Sequence, residues 1–396
     1  MTVQTKAKLD NLAAIFARCA DRAPAYDREN RFFQEDFDEL RDAGYLLMPI
    51  PKELGGMGMS MEEVMMQQRA LAYHAAPTAI ALNMHLYWMG AIADLWRMGD
   101  RSLEWVLRKG AAGEVFAAGH AESGNDFAGV WSSTEAVPVE GGYRFRGHKN
   151  FGSLTPVWTY MGLHGLDKSD PDKPKVVHAF IPRNSPGIEI RENWNDVLGM
   201  RATRSDDTLL DDVFVPQEYI AEVVPAGFNG MGPMMGTAFI WFLSGASNVY
   251  LGLARQAFDQ TVKIAGRKKS MAMPRGAMVN HPAIQTDVAE MYMALENMSA
   301  HIDRLIKDWS SGVDHGQLWP LKFMAAKTHI VESAWRIADR ALEVSGGFGI
   351  FPASGIERLF RDARLGRIHP ANSYLSRELM GKAMLGIDWD EQPRWG

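Results

Sequence analysis

Cysteine is almost missing from this chain: Cys19 stands alone among 396 residues. One thiol excludes an intramolecular disulfide and any zinc site built on two or more thiolates, and it fits a reducing, cytoplasmic setting. No metal is expected. An excess of positive charge is also lacking. With a net charge of -6 and no run of five or six basic residues, the chain has no footprint for a nucleic-acid backbone. The opening Met1–Lys6 carries no apolar signal-peptide core, so no export is implied. Long uninterrupted apolar runs are absent too. Residues 75–96 and 238–254 come nearest, but Asn83, His85 and Asp94 break the first and Ser244, Ser247 and Asn248 the second. Buried helices are expected there and no membrane span. Finally, there is no P-loop and no Gly-x-Gly-x-x-Gly between a strand and a helix, which disfavours a Rossmann dehydrogenase.

What is present is an ordinary globular balance, 46% hydrophobic and 23% charged, in a chain longer than one core usually serves. Leu12, Ile15, Phe16 and Cys19 recur at helical steps, and Phe37, Leu40 and a stop at Gly44 mark a second helix. From about Glu114 to Pro216 the pattern becomes two-residue alternation, as in Tyr143-Arg144-Phe145-Arg146. Further strands are expected at 176–182, 187–191 and 208–216, with a hairpin turn at Gly141-Gly142. After Gly227 helical periodicity returns. Ile284, Val288, Met291, Leu295, Met298, Ile302 and Leu305 form one stripe, and Leu321, Met324, Thr328, Val331, Trp335, Ala338 and Leu342 another. A third runs through Phe242, Ala246, Val249, Leu253 and Ala257. Helices, then strands, then helices imply a mostly α, α+β protein with segregated units. The expected divisions are 1–113, an N-terminal helical domain; 114–226, a middle β-domain; and 227–396, a C-terminal helical bundle.

Several segments, taken in order, resemble the acyl-CoA dehydrogenase superfamily along nearly the whole chain. Pro51-Lys52-Glu53-Leu54-Gly55-Gly56 is similar to its proline-acidic-glycine-glycine turn, and Ala121-Glu122-Ser123-Gly124-Asn125-Asp126 to its flavin loop. Gly147-His148-Lys149-Asn150-Phe151-Gly152-Ser153 resembles its Gly-x-Lys-x-Trp-x-Thr strand. Leu198-Gly199-Met200-Arg201, Asp212–Pro216, Arg267, His281–Ile284, Gly346–Gly349 and Arg361-Asp362-Ala363-Arg364 follow in the same order. The resemblance implies an N-terminal helical domain, a β-barrel-like domain and a four-helix bundle, with FAD between them and a homotetrameric assembly. FMN or a reduced flavin taken from a partner reductase is the alternative cofactor.

By position, the resemblance gives Phe151 the place of the tryptophan that packs on the flavin ring, and Ser153 that of the threonine at the ring edge. An aromatic face and a hydroxyl keep that chemistry. Arg267 matches an arginine that reaches a neighbouring subunit's flavin pyrophosphate, although Ser270 and the segment after it depart from the pattern. Glu343 replaces a glutamine, placing an anion where a diphosphate would be repelled. Asn125, Gly346, Gly347 and Asn372 complete the implied cofactor contacts.

The resemblance breaks at the base. Ordinary members remove a proton with a glutamate where this chain has Pro370, or from the first bundle helix, where it has Phe242. His369, beside Pro370, is therefore the catalytic candidate, since imidazole can serve as base, acid or donor. It resembles the histidine at this point in two-component flavin monooxygenases of the same fold, where it helps stabilise a flavin-oxygen adduct. Three activities follow as expectations: first, dehydrogenation of an acyl-CoA or related thioester passing electrons to an acceptor; second, monooxygenation of a small apolar molecule with reduced flavin; third, a flavin- or acyl-binding scaffold without chemistry. His120 is a second histidine candidate. Met231–Met235 and Trp241 are candidate pocket lining, and Asp206, Asp207, Asp211 and Asp212 read as a solvated strand edge.

Overall fold

The computed structural model describes residues 3–391 except 272, 274 and 275. Four helices come first: α1 (Val3–Glu29), α2 (Gln34–Asp42), α3 (Met61–Arg97) and α4 (Glu104–Ala111). Eight strands follow, β1 (Phe116–Gly119), β2 (Glu135–Val139), β3 (Gly142–Gly152), β4 (Tyr160–Asp167), β5 (Lys175–Pro182), β6 (Ile188–Arg191), β7 (Asp206–Pro216) and β8 (Ile220–Pro225). Five helices close the described chain: α5 (Pro233–Arg267), α6 (Pro282–Ser310), α7 (Trp319–Ser345), α8 (Ile356–Leu365) and α9 (Ser373–Leu385).

The long helices start where local chemistry allows. Ser60 caps α3 in a reciprocal box, its Oγ accepting Glu63 N–H at 3.3 Å while Glu63 Oε2 accepts Ser60 N–H at 2.9 Å. Pro233 opens α5 at the one turn where a missing N–H costs nothing. The two helices then pack along each other, and α7 covers the other side of α5. Close approach is written into Gly90 on α3, where a Cβ would lie 2.3 Å from the buried Trp241 ring. Among the described helices, α5 alone is long and apolar enough to cross a membrane, and 89% of its apolar window is buried inside the protein.

The strands form one sheet in the order β6-β7-β3-β2-β4-β5-β8, with β1 added parallel to β4. All residues of β4 are buried, so both of its faces are covered. Register slips twice along β3 and β7, the second time between Lys149 and Gly152, where an irregular pairing bends the strand end. The expected solvated edge at 206–212 holds for Asp211, which is exposed, and is corrected at Asp206 and Asp207. Strand β7 is interior, flanked by β6 and β3. Asp206 and Asp207 are buried because neighbouring donors replace water: Trp194 N–H and Arg204 reach Asp206, and His148 and Asn150 reach Asp207.

Candidate active site

The bent end of β3 presents an aromatic face. Phe151 has a left-handed backbone (φ 59°) and stays 58% exposed, an unusual state for a large apolar side chain at the end of a strand. Its ring meets Trp194 edge-on at 6.0 Å. Two residues on, Ser153 Oγ lies 2.7 Å from Ser205 Oγ, which is 2.7 Å from Thr203 Oγ1; that hydroxyl donates to Met200 O at 2.9 Å. Hydroxyls thus line the strand end beside an open ring.

The same loop is bound to α8. Met200 N–H donates to buried Asp362 Oδ1 at 2.6 Å, and Arg361 joins Leu198 O at 3.0 Å and Asp27 at 2.6 Å. Gly199 is needed at this contact, since a Cβ there would meet Arg361 O at 2.7 Å. Helix α8 then leads into 366–371, the segment that holds His369. A continuous chain of contacts therefore couples Ser153 to the histidine segment.

His369 is half-buried, with its Nδ1 3.4 Å from the Tyr250 hydroxyl on α5. Burial first, and the positive charge of Lys327 second, push its pKa down to about 3. Burial holds the Tyr250 phenol well above its usual range, so that hydroxyl keeps its proton. That hydroxyl and Nδ1 of a neutral His369 form one donor–acceptor pair, and Nε2 has no partner in it. Lys327, buried on α7, donates to the carbonyls of Gly366, His369 and Ala371 at 3.0, 2.8 and 2.9 Å. Phe242, two turns before Tyr250 on α5, packs edge-on against Tyr87 at 5.7 Å and offers no ionisable group.

A second group of candidates gathers elsewhere. Arg267 ends α5 and Glu343 nears the end of α7, both exposed. Lys268 Nζ donates to Val344 O at 3.2 Å, joining the two helix ends at the Gly346-Gly347 turn. Asn372 caps α9, its Oδ1 accepting from Tyr374 and Leu375 N–H at 2.9 Å each. Asn125 is engaged within its own loop, donating to Glu122 Oε2 at 2.8 Å and Trp131 O at 2.9 Å. The structure thus places Phe151, Ser153 and His369 on one connected framework and Arg267, Glu343, Gly346 and Gly347 on another.

Beneath the 121–126 loop lies a polar interior. Lys149 reaches Glu122 Oε1 at 2.5 Å and His164 O at 2.6 Å, and Glu122 also accepts from Ser132, Ser133 and Thr134. Burial opposes both charges; Lys149 and these donors nevertheless hold Glu122 well below the ordinary carboxylate range, so the pair is ionised. His120, His164 and His178 stack beside it, with ring centroids 5.1 and 5.8 Å apart in succession. His164 Nδ1, His120 Nε2 and both ring nitrogens of His178 have no partner among the described residues. Next to this interior, Met231, Met235, Phe228, Gly129, Leu375 and Trp389 line a small apolar cavity that also touches Ala371. Trp241 is not among its walls; it is core, donating to Asp94 at 2.8 Å.

Sequence reasoning missed Tyr250 and Lys327. Tyr250 falls on the Phe242 stripe one position beyond Val249, and Lys327 is the lone cation within the apolar stripe of α7. That interruption was the available signal.

Family models match both ends of the chain: acyl-CoA dehydrogenase, N-terminal domain, over residues 7–103, and acyl-CoA dehydrogenase, C-terminal domain, over 244–374. YdbM of Bacillus subtilis, provisionally called an acyl-CoA dehydrogenase, is 27% identical over 93% of this chain and 93% of its own. A dibenzothiophene monooxygenase of Mycolicibacterium goodii is 26% identical over 87% of this chain and 86% of its own. The solved structure of KijD3 with FMN and a dTDP-linked amino keto sugar superposes with a TM-score of 0.83 at 26% identity. It covers 99% of this chain and 96% of its own.

Proposed function

The chain belongs to the acyl-CoA dehydrogenase family, and from that premise we propose that it is a flavin-dependent monooxygenase, taking reduced flavin from a separate reductase. The observation that carries this reading is the proton inventory. Neither Pro370 nor Phe242 can remove an α-proton, and the residue beside Pro370 is a neutral histidine set against a buried tyrosine hydroxyl. The sequence put dehydrogenation first; this inventory, with a monooxygenase relative and an FMN-bound neighbour, reverses that order. Dehydrogenation remains the second reading because YdbM is a relative of matching length.

The residues fit a flavin. The exposed Phe151 ring supplies a face for it, and the Ser153 and Ser205 hydroxyls supply partners for its polar edge. At the other framework, Arg267 and the open Gly346-Gly347 turn suit a phosphate, while Glu343 opposes a second one and so favours FMN over FAD. Reduced flavin supplies the two electrons with which oxygen gives one atom to the substrate and one to water. His369 is the proton-handling group for the oxygen chemistry, paired through Nδ1 with the Tyr250 hydroxyl.

Two results are expected. Reconstituted with FMN, the protein shows no anaerobic bleaching by straight- or branched-chain acyl-CoAs; after reduction and mixing with oxygen, the oxidised-flavin absorbance returns only after a lag that free FMN does not show. Bleaching by an acyl-CoA without such a lag would overturn the reading in favour of dehydrogenation.

A homotetramer is part of the same proposal. Phe348, Ile350 and Phe351, at 50, 64 and 57% exposed, form an apolar patch beside the Gly346-Gly347 turn that a second copy would cover. Light scattering should give four chains per particle, and a monomer that binds flavin tightly would contradict the role given to Arg267.

A further inference from the structure

We infer that Lys327 is a positioning residue of the oxygenation site, holding the 366–371 segment in the shape that aims His369; this rests on the reading of His369 as a group at the reacting centre. The segment between α8 and α9 is irregular, so its carbonyls have no ladder of their own. Three of them, from Gly366, His369 and Ala371, converge on one ammonium at 2.8–3.0 Å. Nζ has three hydrogens and meets three acceptors. A neutral amine would turn its lone pair on one of those carbonyls, so the coordination is that of the charged form. Burial pushes the Lys327 pKa down to about 7, opposed by the field of Glu332 on the same helix; no carboxylate hydrogen-bonds this Nζ among the described residues, and the three carbonyls are what favour its charge.

A lysine without surface exposure is an expensive way to fill a helix stripe. A methionine of similar length would pack beside Met324 and Val331, but it would leave the Gly366 and His369 carbonyls without a donor and Ala371 O with only the Ser376 hydroxyl at 3.3 Å, freeing the loop to change shape. Two of the tethered carbonyls flank the histidine: one belongs to His369 itself and one to Ala371, which also borders the apolar cavity. The tether therefore fixes the imidazole and the cavity wall together, and its charge keeps His369 neutral.

A double-mutant cycle tests this. Lys327→Met, His369→Ala and the pair are compared for turnover, for oxygen lost as hydrogen peroxide, for thermal midpoint, and for amide exchange across 366–371. A misaimed group costs on the order of tenfold to a hundredfold in turnover. Lys327→Met should lose that much with His369 present, shift oxygen towards peroxide, and lose almost nothing further once His369 is alanine. Its thermal cost should be equal in both backgrounds, and exchange should quicken in 366–371 without spreading through α7 in the flavin-free protein. An equal loss of turnover in both backgrounds, or unchanged exchange in the segment, overturns the inference. If Lys327→Met does not accumulate folded, Lys327→Gln, which keeps an amide donor, carries the same cycle; failure of both to fold reduces Lys327 to a stability role and also overturns it. An inert His369→Ala would instead sink the reading of His369, while the exchange data still report whether the tether exists.

Discussion

Replacing His369 with alanine or asparagine should lower turnover by roughly two to four orders of magnitude, the scale of acid–base assistance, while flavin binding is retained. Binding survives because the aromatic face and ring-edge hydroxyls belong to β3 and the 203–205 segment, not to the loop that carries the histidine. Asparagine matters as well as alanine. It can still donate a hydrogen bond but cannot pass a proton at neutral pH, so recovery in that variant alone would reduce His369 to a donor. The pH profile separates the roles further. With its pKa pushed down to about 3, His369 stays neutral from mildly acidic to alkaline conditions, and turnover should show no limb near the ordinary histidine value of about 6.5 that disappears in the variant. Near-normal turnover in both variants would make His369 structural and remove the chemical basis for oxygenation.

How far such a site can be read from sequence depends on whether its parts are local. Phe151 and Ser153 lie within one strand motif, and the two-residue alternation around them already marks β3. His369 was found by a failed match, since Pro370 occupies the position where an acid is needed. Tyr250 and Lys327 were not found, because each acts across helices: Tyr250 faces His369 from α5, and Lys327 collects carbonyls up to 44 residues away. Periodicity tells which face of a helix is buried, but not which loop end meets it. Asp206 and Asp207 of β7 failed for a related reason. Four acids in seven residues look solvated, and Asp211 is, yet β7 lies inside the sheet between β6 and β3 and Asp206 and Asp207 meet buried donors there. Asn125 and Asn372, which family position gives to the cofactor, also carry structural hydrogen bonds of a loop and a helix end in the folded chain.

Acidification should destabilise the fold, by a few kcal/mol between pH 6.5 and 5. The cause is three histidines with at most 1% exposure: His85, His164 and His178. Burial pushes His85 down to about 4 and the other two well below the ordinary value. A depressed folded pKa means that below about 6.5 the unfolded chain takes up a proton the folded chain refuses. Their contribution is therefore complete above that pH and is lost as pH falls towards the folded values. Half-buried His120 and His369 act in the same direction. Asp362 opposes them, because burial pushes it up to about 6 and the folded state then holds the extra proton. Asp36 and Glu222, also raised by burial, oppose them in the same sense, so the net is on the order of one to two protons taken up on unfolding, or about 1.4–2.7 kcal/mol per pH unit. That is a large share of the roughly 5–15 kcal/mol that holds a typical domain together. Urea unfolding of the flavin-free protein at pH 7, 6 and 5 measures it, provided the slope against denaturant stays constant. His178→Phe tests the assignment, because both ring nitrogens of His178 lack partners and a phenyl ring fills similar space. That variant should lose about one proton from the dependence and be the more stable protein at pH 5. Equal stability at pH 7 and pH 5 in the parent would show that water or an unseen partner reaches the stack, and that its histidines protonate in place.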